Sequence, residues 1–309
     1  MRGLEEARRL YERYGVDMIE RLFPAYAGRI AVGLVGHGSE CFGFDDELSR
    51  DHDFPEGFCL WIDDETDRAV GVELSRAYRS LPLKKAAERS ALSESSRGVR
   101  RIRDFYERYT GCGGAPADAM QWLALPSHAL AEATNGEVFR DDQGLFSSIR
   151  ETLLYGMPED VRLKKLAARV IAMAQAGQYN YPRCVRHGEY GAAMLAMAEF
   201  VTAACGAVYL LNRRHMPYYK WQLRGMEGLE RLSELREALD FLLTAENDEQ
   251  GRILKSAVAE DVCAAVVREL KAQHLTHGNW DYLEPHAFEI ASHIETPALR
   301  AMHIMDGGA

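Results

Sequence analysis

Positive charge is in short supply in this chain: Lys and Arg number 37 against 47 Asp and Glu, for a net charge of −10 and a pI of about 5.5. Such a balance supplies no sequence-independent attraction to phosphate backbones or anionic lipid, so neither a nucleic-acid substrate nor a membrane partner is expected. Long apolar runs are also lacking. A membrane span needs roughly 18–20 apolar residues, and the nearest approach, 192–211, is broken by Glu199. The first ten residues alternate charged and apolar side chains without the apolar core of a signal peptide, so the mature protein is expected to begin there, in the cytoplasm. The six cysteines, Cys41, Cys59, Cys112, Cys184, Cys205 and Cys263, form no C-x-x-C pair, which excludes the common zinc and thiol-redox motifs and reads as reduced thiols. The chain has no internal repeat or low-complexity tract, and no G-x-S-x-G elbow surrounds Ser39, which argues against a solenoid and an elbow-type hydrolase.

What remains is 309 residues, 47% hydrophobic and 27% charged, enough for two cores. The pattern changes near residue 150, which predicts an α/β domain over 1–150 and an α-helical bundle over 151–309. In the first half, apolar residues from Leu4 to Leu22 recur at helical spacing until Pro24 forbids continuation. Short strands are expected at Ile30–Val35, at Phe58–Ile62, near Val99–Ile102 and at Gly136–Phe139, with a helix over 69–81. In the second half, 160–178, 188–211, 221–243 and 253–275 all read as helices, and Glu246–Glu249 as a solvated acidic loop between two of them.

The stretch richest in chemistry runs from Gly38 to Phe54. Directly after the first strand, Gly38 and Ser39 let the backbone pass close to a ligand, and amide groups opening a helix suit a phosphate. His37 reads equally as a phosphate contact or a turn residue. Farther on, Asp51 and Asp53 are two apart, so on a strand both carboxylates project from one face, with His52 on the other. Like charges so placed repel, and a hard divalent cation such as Mg2+ relieves the repulsion. In nucleotidyl transfer that ion holds the triphosphate and neutralises charge developing at phosphorus. The plainer reading of Asp51 and Asp53 is a pair of turn residues in an acidic loop.

Gly38-Ser39, Gly43, Ser49 and the Asp51-x-Asp53 pair resemble the signature of the minimal, DNA polymerase β-like nucleotidyltransferase superfamily, with Arg50 as one extra residue before the first aspartate. The wider text, including 136–142 and 177–181, is similar to a bacterial branch of that superfamily known only as a domain of unknown function. The resemblance implies an α+β fold, a mixed sheet with helices followed by the helical bundle. It implies Mg2+ on Asp51 and Asp53, and ATP or another nucleoside triphosphate as substrate, held by Gly38, Ser39 and Ser49. A nucleoside monophosphate, most simply AMP, would pass to a hydroxyl acceptor on a small molecule or protein. The superfamily's usual third carboxylate falls where this chain has Arg100 and Arg101; Glu137, Asp104 and Glu73 are the candidates to replace it, Glu137 first. The alternative is a catalytically degenerate nucleotide-binding regulatory protein.

In the helical half, Gln178, Asn180, Arg183, Lys220 and Trp221 are expected at helix ends, from which they could reach a base or phosphates or simply cap and cover. Glu199 lies in a strongly apolar helix, where a buried carboxylate needs a partner such as Arg183 or a role as general base; Glu189 is the second candidate for that role. His274 and His277, three apart on an expected helix, read as a surface feature, since no third metal ligand accompanies them. Tyr209, Tyr218, Tyr219 and Trp221 read as core and interface aromatics rather than as a stacking platform.

Overall fold

A computed structural model describes residues 3–46, 56–84 and 97–308. The chain divides into two compact units, one of 1–116 and 129–156, the other of 117–128 and 157–309. The expected boundary at 150 thus differs by a few residues, and a short segment before residue 129 packs with the second unit.

The first unit opens with α1 (Gly3–Leu10) and α2 (Val16–Leu22), joined by a π-helical turn over Tyr11–Gly15, and continues through β1 (Ala31–Leu34), β2 (Cys59–Ile62), α3 (Asp64–Arg79), β3 (Gly98–Arg101) and α4 (Ile102–Thr110). After α5 (Ala119–Ala124), which lies in the second unit, and α6 (Ser127–Thr134), it ends with β4 (Glu137–Arg140) and α7 (Leu145–Tyr155). The sheet is mixed, in the order β3-β2-β1-β4. β1 pairs antiparallel with both β2 and β4, and β2 runs parallel to β3. Its two faces are covered by different residues, as period-2 alternation requires. Val32, Leu60 and Ile62 pack with Ile19, Met18 and Leu74 in one core, whereas Trp61 stacks on Phe146 at 3.9 Å on the opposite side. Each of the four strands lies within a residue or two of its expected span, and α1 to α3 fall on the expected helices, whereas α4, α6 and α7 had no counterpart in the sequence reading.

The second unit is helical. Its principal helices are α8 (Glu159–Met173), continued by a π-helical stretch (Ala174–Asn180), α9 (Tyr181–Arg186) and α10 (Tyr190–Leu211). They are followed by the one-turn α11 (Gln222–Gly225), α12 (Leu235–Thr244), α13 (Glu249–Ala272), α14 (Leu283–Ser292) and the short α15 (Pro297–Arg300). α10 is the one described helix long and apolar enough to cross a membrane by length and composition, and 61% of its most apolar window is buried. That corrects the expectation that Glu199 breaks the run short.

Three other expectations change. The helix expected over 221–243 is interrupted after Gly225, and Leu232 takes a left-handed φ of 58° before α12 begins. Glycine weakens helix propagation here, and Gly225 sits so close to the Tyr209 hydroxyl that a Cβ would approach it to 2.3 Å. The acidic stretch Glu246–Glu249 is not merely a loop: Asp248 caps α13, its carboxylate accepting the Gly251 amide at 2.7 Å. His274, with φ of 57°, lies beyond the end of α13, so it shares no helical face with His277. None of the six cysteines forms a disulfide.

Candidate functional site

Strand directions gather the chemistry-bearing backbone at one end of the sheet. β1 leaves at that end into Gly36–Ser39, β2 and β3 enter from it, and β4 begins there with Glu137 opposite Leu34. The turn after β1 is built from glycines with positive φ, 123° at Gly36 and 131° at Gly38, conformations that other residues rarely adopt. Asn135 fixes it: its Nδ2 donates to the Gly36 carbonyl and its Oδ1 accepts the Gly36 amide, each at 2.8 Å. The Asn135 carbonyl is in turn approached by Arg150 Nη2 at 3.4 Å. His37 is exposed and its Nδ1 lies 3.2 Å from Glu132 Oε1, while the Tyr109 hydroxyl is hydrogen-bonded to the His37 backbone.

Ser39 precedes a single 3-10 turn, Glu40–Phe42, and its side chain makes no capping bond there. The helix expected to open after Gly38-Ser39 is therefore one turn long. Beneath it lies the charged pair that sequence reasoning missed. Glu40 is 4% exposed, and its Oε1 sits 3.3 Å from Arg97 Nη2, whose Nε also donates to the Gly57 carbonyl at 3.3 Å. Burial pushes the Glu40 carboxyl above its usual range, with the Arg97 guanidinium opposing it. A Cβ on Gly38 would stand 2.4 Å from the Glu40 carboxylate, so only glycine fits above this pair. Glu40 had a legible signal, a carboxylate one residue past Gly-Ser; Arg97, 57 residues away in sequence, had none.

Of the expected site residues in this unit, Gly38, Ser39 and Glu137 share the sheet end, while Ser49, Asp51 and Asp53 lie outside the described residues. Of the three candidates for a third carboxylate, two are engaged by arginines and one is exposed. Glu137 is ion-paired with Arg8, Asp104 accepts from Arg101 Nε at 2.7 Å, and Glu73 is exposed on α3. β3 itself carries Arg100 and Arg101 and no acid. Among the described residues no group of three or more His, Cys, Asp or Glu is arranged to hold a metal.

In the helical unit, Gln178 is a clamp: its amide nitrogen donates to Glu260 at 2.7 Å and to the Asp281 carbonyl at 3.0 Å, and its oxygen accepts the Leu283 amide at 2.9 Å. Asn180 is exposed at the end of the π-helical stretch, and Arg183, also exposed, lies over the Tyr179 ring at 5.7 Å. Lys220 is exposed and stands 5.2 Å from the Trp221 ring. Glu199 corrects the sequence reading: it is on the exposed side of α10, its field acts on Arg169 rather than Arg183, and no burial has to be offset. Glu189 is exposed as well, just before α10. His277 is tied to Glu289, whose carboxyl is drawn down to about 2 by the Thr276 hydroxyl, the His277 side chain and the loop amides. Tyr209 is core at 3% exposure, whereas Tyr218 and Tyr219 are not.

Residues 122–222 match a family described as Domain of unknown function (DUF4037). That span takes in α6, β4 and α7 to α10 and stops at Gln222, so it does not reach the Gly38–Asp53 stretch. No curated protein and no solved structure matches the chain.

Proposed function

We propose that the protein is a Mg2+-dependent nucleotidyltransferase that transfers a nucleoside monophosphate, most simply AMP from ATP, to a hydroxyl of a small molecule or protein. The observation that carries the reading is the glycine turn Gly36–Ser39, held by Asn135 at the sheet end from which β2 starts. Asp51 and Asp53 fall between the turn and β2 in the sequence and lie outside the described residues. In this reading Ser39 and the turn amides hold a phosphate, and the two aspartates hold Mg2+, which would orient the triphosphate and neutralise charge at the transferred phosphorus.

A second reading, a nucleotide-binding regulatory protein without turnover, is favoured by β3, where Arg101 bonds Asp104 and no carboxylate is present, and by the engagement of Glu137 with Arg8. Calorimetric titration of ATP, GTP, CTP and UTP with and without Mg2+, followed by pyrophosphate release with an acceptor panel, separates the two. Mg2+-dependent binding abolished in Asp51→Asn/Asp53→Asn, with pyrophosphate released by the native chain, is expected of the enzyme. Binding without release supports the regulatory reading, and no nucleotide binding in either metal condition sinks both.

A further inference from the structure

We propose that the Thr276 hydroxyl joins a buried imidazolium, His286, to the carboxylate of Glu289, and that loss of the ring proton releases the irregular loop 276–280 from α14. The network lies in the second unit alone and stands whether or not the first unit binds a nucleotide. α13 ends at Ala272 and α14 begins at Leu283; the loop between them is bonded to His286 and Glu289, which lie one turn apart on α14. His286 is 0% and Thr276 1% exposed. Glu289 gathers the loop. Its Oε1 accepts the His277 amide at 2.9 Å and lies 3.2 Å from His277 Nδ1, while its Oε2 accepts the Thr276 hydroxyl and, at 3.4 Å, the Gly278 amide. His286 holds the other side, with Nδ1 2.6 Å from Thr276 Oγ1 and Nε2 3.0 Å from the Trp280 carbonyl.

Donors and acceptors in this network fix its proton count. The Trp280 carbonyl only accepts, so His286 Nε2 carries a hydrogen. The Glu289 carboxyl, drawn down to about 2 by the Thr276 hydroxyl and then by His277 and the Gly278 amide, is ionised and also only accepts. Thr276 has a single hydroxyl hydrogen, and it goes to Glu289. The 2.6 Å contact between Thr276 Oγ1 and His286 Nδ1 therefore needs its hydrogen on Nδ1, and a ring protonated on both nitrogens is a cation. Such a charge is costly to bury alone, and the ionised Glu289, one hydroxyl away, offsets the cost. Among the described residues, the charged groups on the elements packed against α14 bond elsewhere. On α8, Glu159 pairs with Arg162, Asp160 accepts the Glu295 and Thr296 amides, and Lys164 and Lys165 donate to backbone carbonyls. On α13, Glu260 accepts from Gln178 and Lys271 donates to Asn279, and the π-helical stretch brings no charged residue. Without the ring proton, the one Thr276 hydrogen must serve either Glu289 or His286 Nδ1, and the loop loses a bond to α14 either way.

The test is nitrogen NMR of the histidine rings in the native chain, Thr276→Ser and Thr276→Val, with His286 assigned from the signals lost in His286→Gln. At about pH 7, both His286 ring nitrogens are expected to carry hydrogen in the native chain and in Thr276→Ser, and one is expected to be bare in Thr276→Val. A bare ring nitrogen at His286 in the native chain overturns the proposal, as does an imidazolium that survives in Thr276→Val. Raising the pH until the second ring proton leaves should lower the protection of the Gly278 amide against hydrogen exchange about tenfold. Glu289→Gln should show that lower protection already at about pH 7. Gly278 protection that stays constant while His286 loses its proton overturns the release of the loop.

Discussion

In the first unit buried charge comes as a pair, Glu40 with Arg97; in the second, beside the Arg162–Glu159 pair, three lysines are buried against backbone carbonyls or a thioether. Lys165 donates to the Leu123 and Leu125 carbonyls, both at 2.9 Å, Lys164 to the Met302 and His303 carbonyls, and Lys255 reaches the Met194 thioether, at 3.8 Å. The difference is instructive because the two arrangements stabilise different things. An ion pair tolerates loss of both partners better than loss of one, since a lone buried charge is the costly state. A lysine on backbone carbonyls instead ties loop ends to a helix, and its removal frees those carbonyls.

The largest expected effect is therefore in the first unit. Arg97→Ala leaves Glu40 buried and unpaired and is expected to destabilise that unit by about 3–5 kcal/mol, whereas Glu40→Leu/Arg97→Met recovers most of the loss in denaturant titrations. If the double variant is no better than the single one, the pair is not the unit of stability and the comparison fails.

Next is Lys165→Met, expected to cost about 2 kcal/mol from two lost bonds to a charged donor, offset in part by relief of desolvation. Burial, with Arg169 adding to it, draws the Lys165 amine down to about 8. The unfolded chain keeps its lysine proton up to about 10.4, so between about 8 and 10.4 it binds more protons at this site than the folded chain, and the site's contribution to stability rises with pH. The difference in stability between native and Lys165→Met proteins should widen across that window. A difference flat in pH would refute the assignment.

Acid sharpens the contrast, because Glu40 and the second unit's Glu159 and Glu289 respond with opposite sign. Glu159, paired with Arg162 and Arg213, and Glu289, bonded by Thr276, are both drawn down to about 2. Each adds stability that is present above the unfolded value of about 4.3 and is lost as pH falls towards 2. Glu40, pushed up, instead prefers its proton and gains on acidification. Glu289→Gln should make unfolding between pH 5 and 2 less steep, and Glu40→Gln should not.

Lys255→Met, which replaces an amine beside a thioether with an apolar side chain of similar reach, is expected to stabilise the second unit by about 1 kcal/mol, a rise of about 2–4 °C in Tm. The smallest effect belongs to Glu199→Gln. On the exposed side of α10 it should change stability by less than about 0.5 kcal/mol, and a larger loss would show that its field on Arg169 matters.

Much of the architecture was legible because it depends on local pattern. The apolar runs at Ile30–Val35 and Phe58–Ile62 needed no partner to read as strands, and Asp160–Gln178 carried its own helical period. Where reading failed, a neighbour decided. Helical spacing over 221–243 said nothing of the Tyr209 hydroxyl crowding Gly225, and apolar composition around Glu199 did not reveal which side of α10 faces water. The acidic stretch at Glu246–Glu249 looked like a solvated loop, although Asp248 followed by a helical run is also a cap signal. The candidate site divides in the same way. Gly36–Ser39 stood out by residue type, whereas the brace from Asn135 is 99 residues distant.

By itself, the sequence determined the α+β class, the order of the four strands along the chain, the change of character near residue 150 and the glycine turn after β1, because each rests on periodicity or on a residue's own conformational limits. Tertiary structure alone decided that β3 flanks β2 and β4 flanks β1, that Glu40 and Arg97 form one buried pair, and that Glu137 is engaged by Arg8. Those outcomes depend on groups far apart in the chain meeting at close range, and electrostatic and packing energies exist only once they meet.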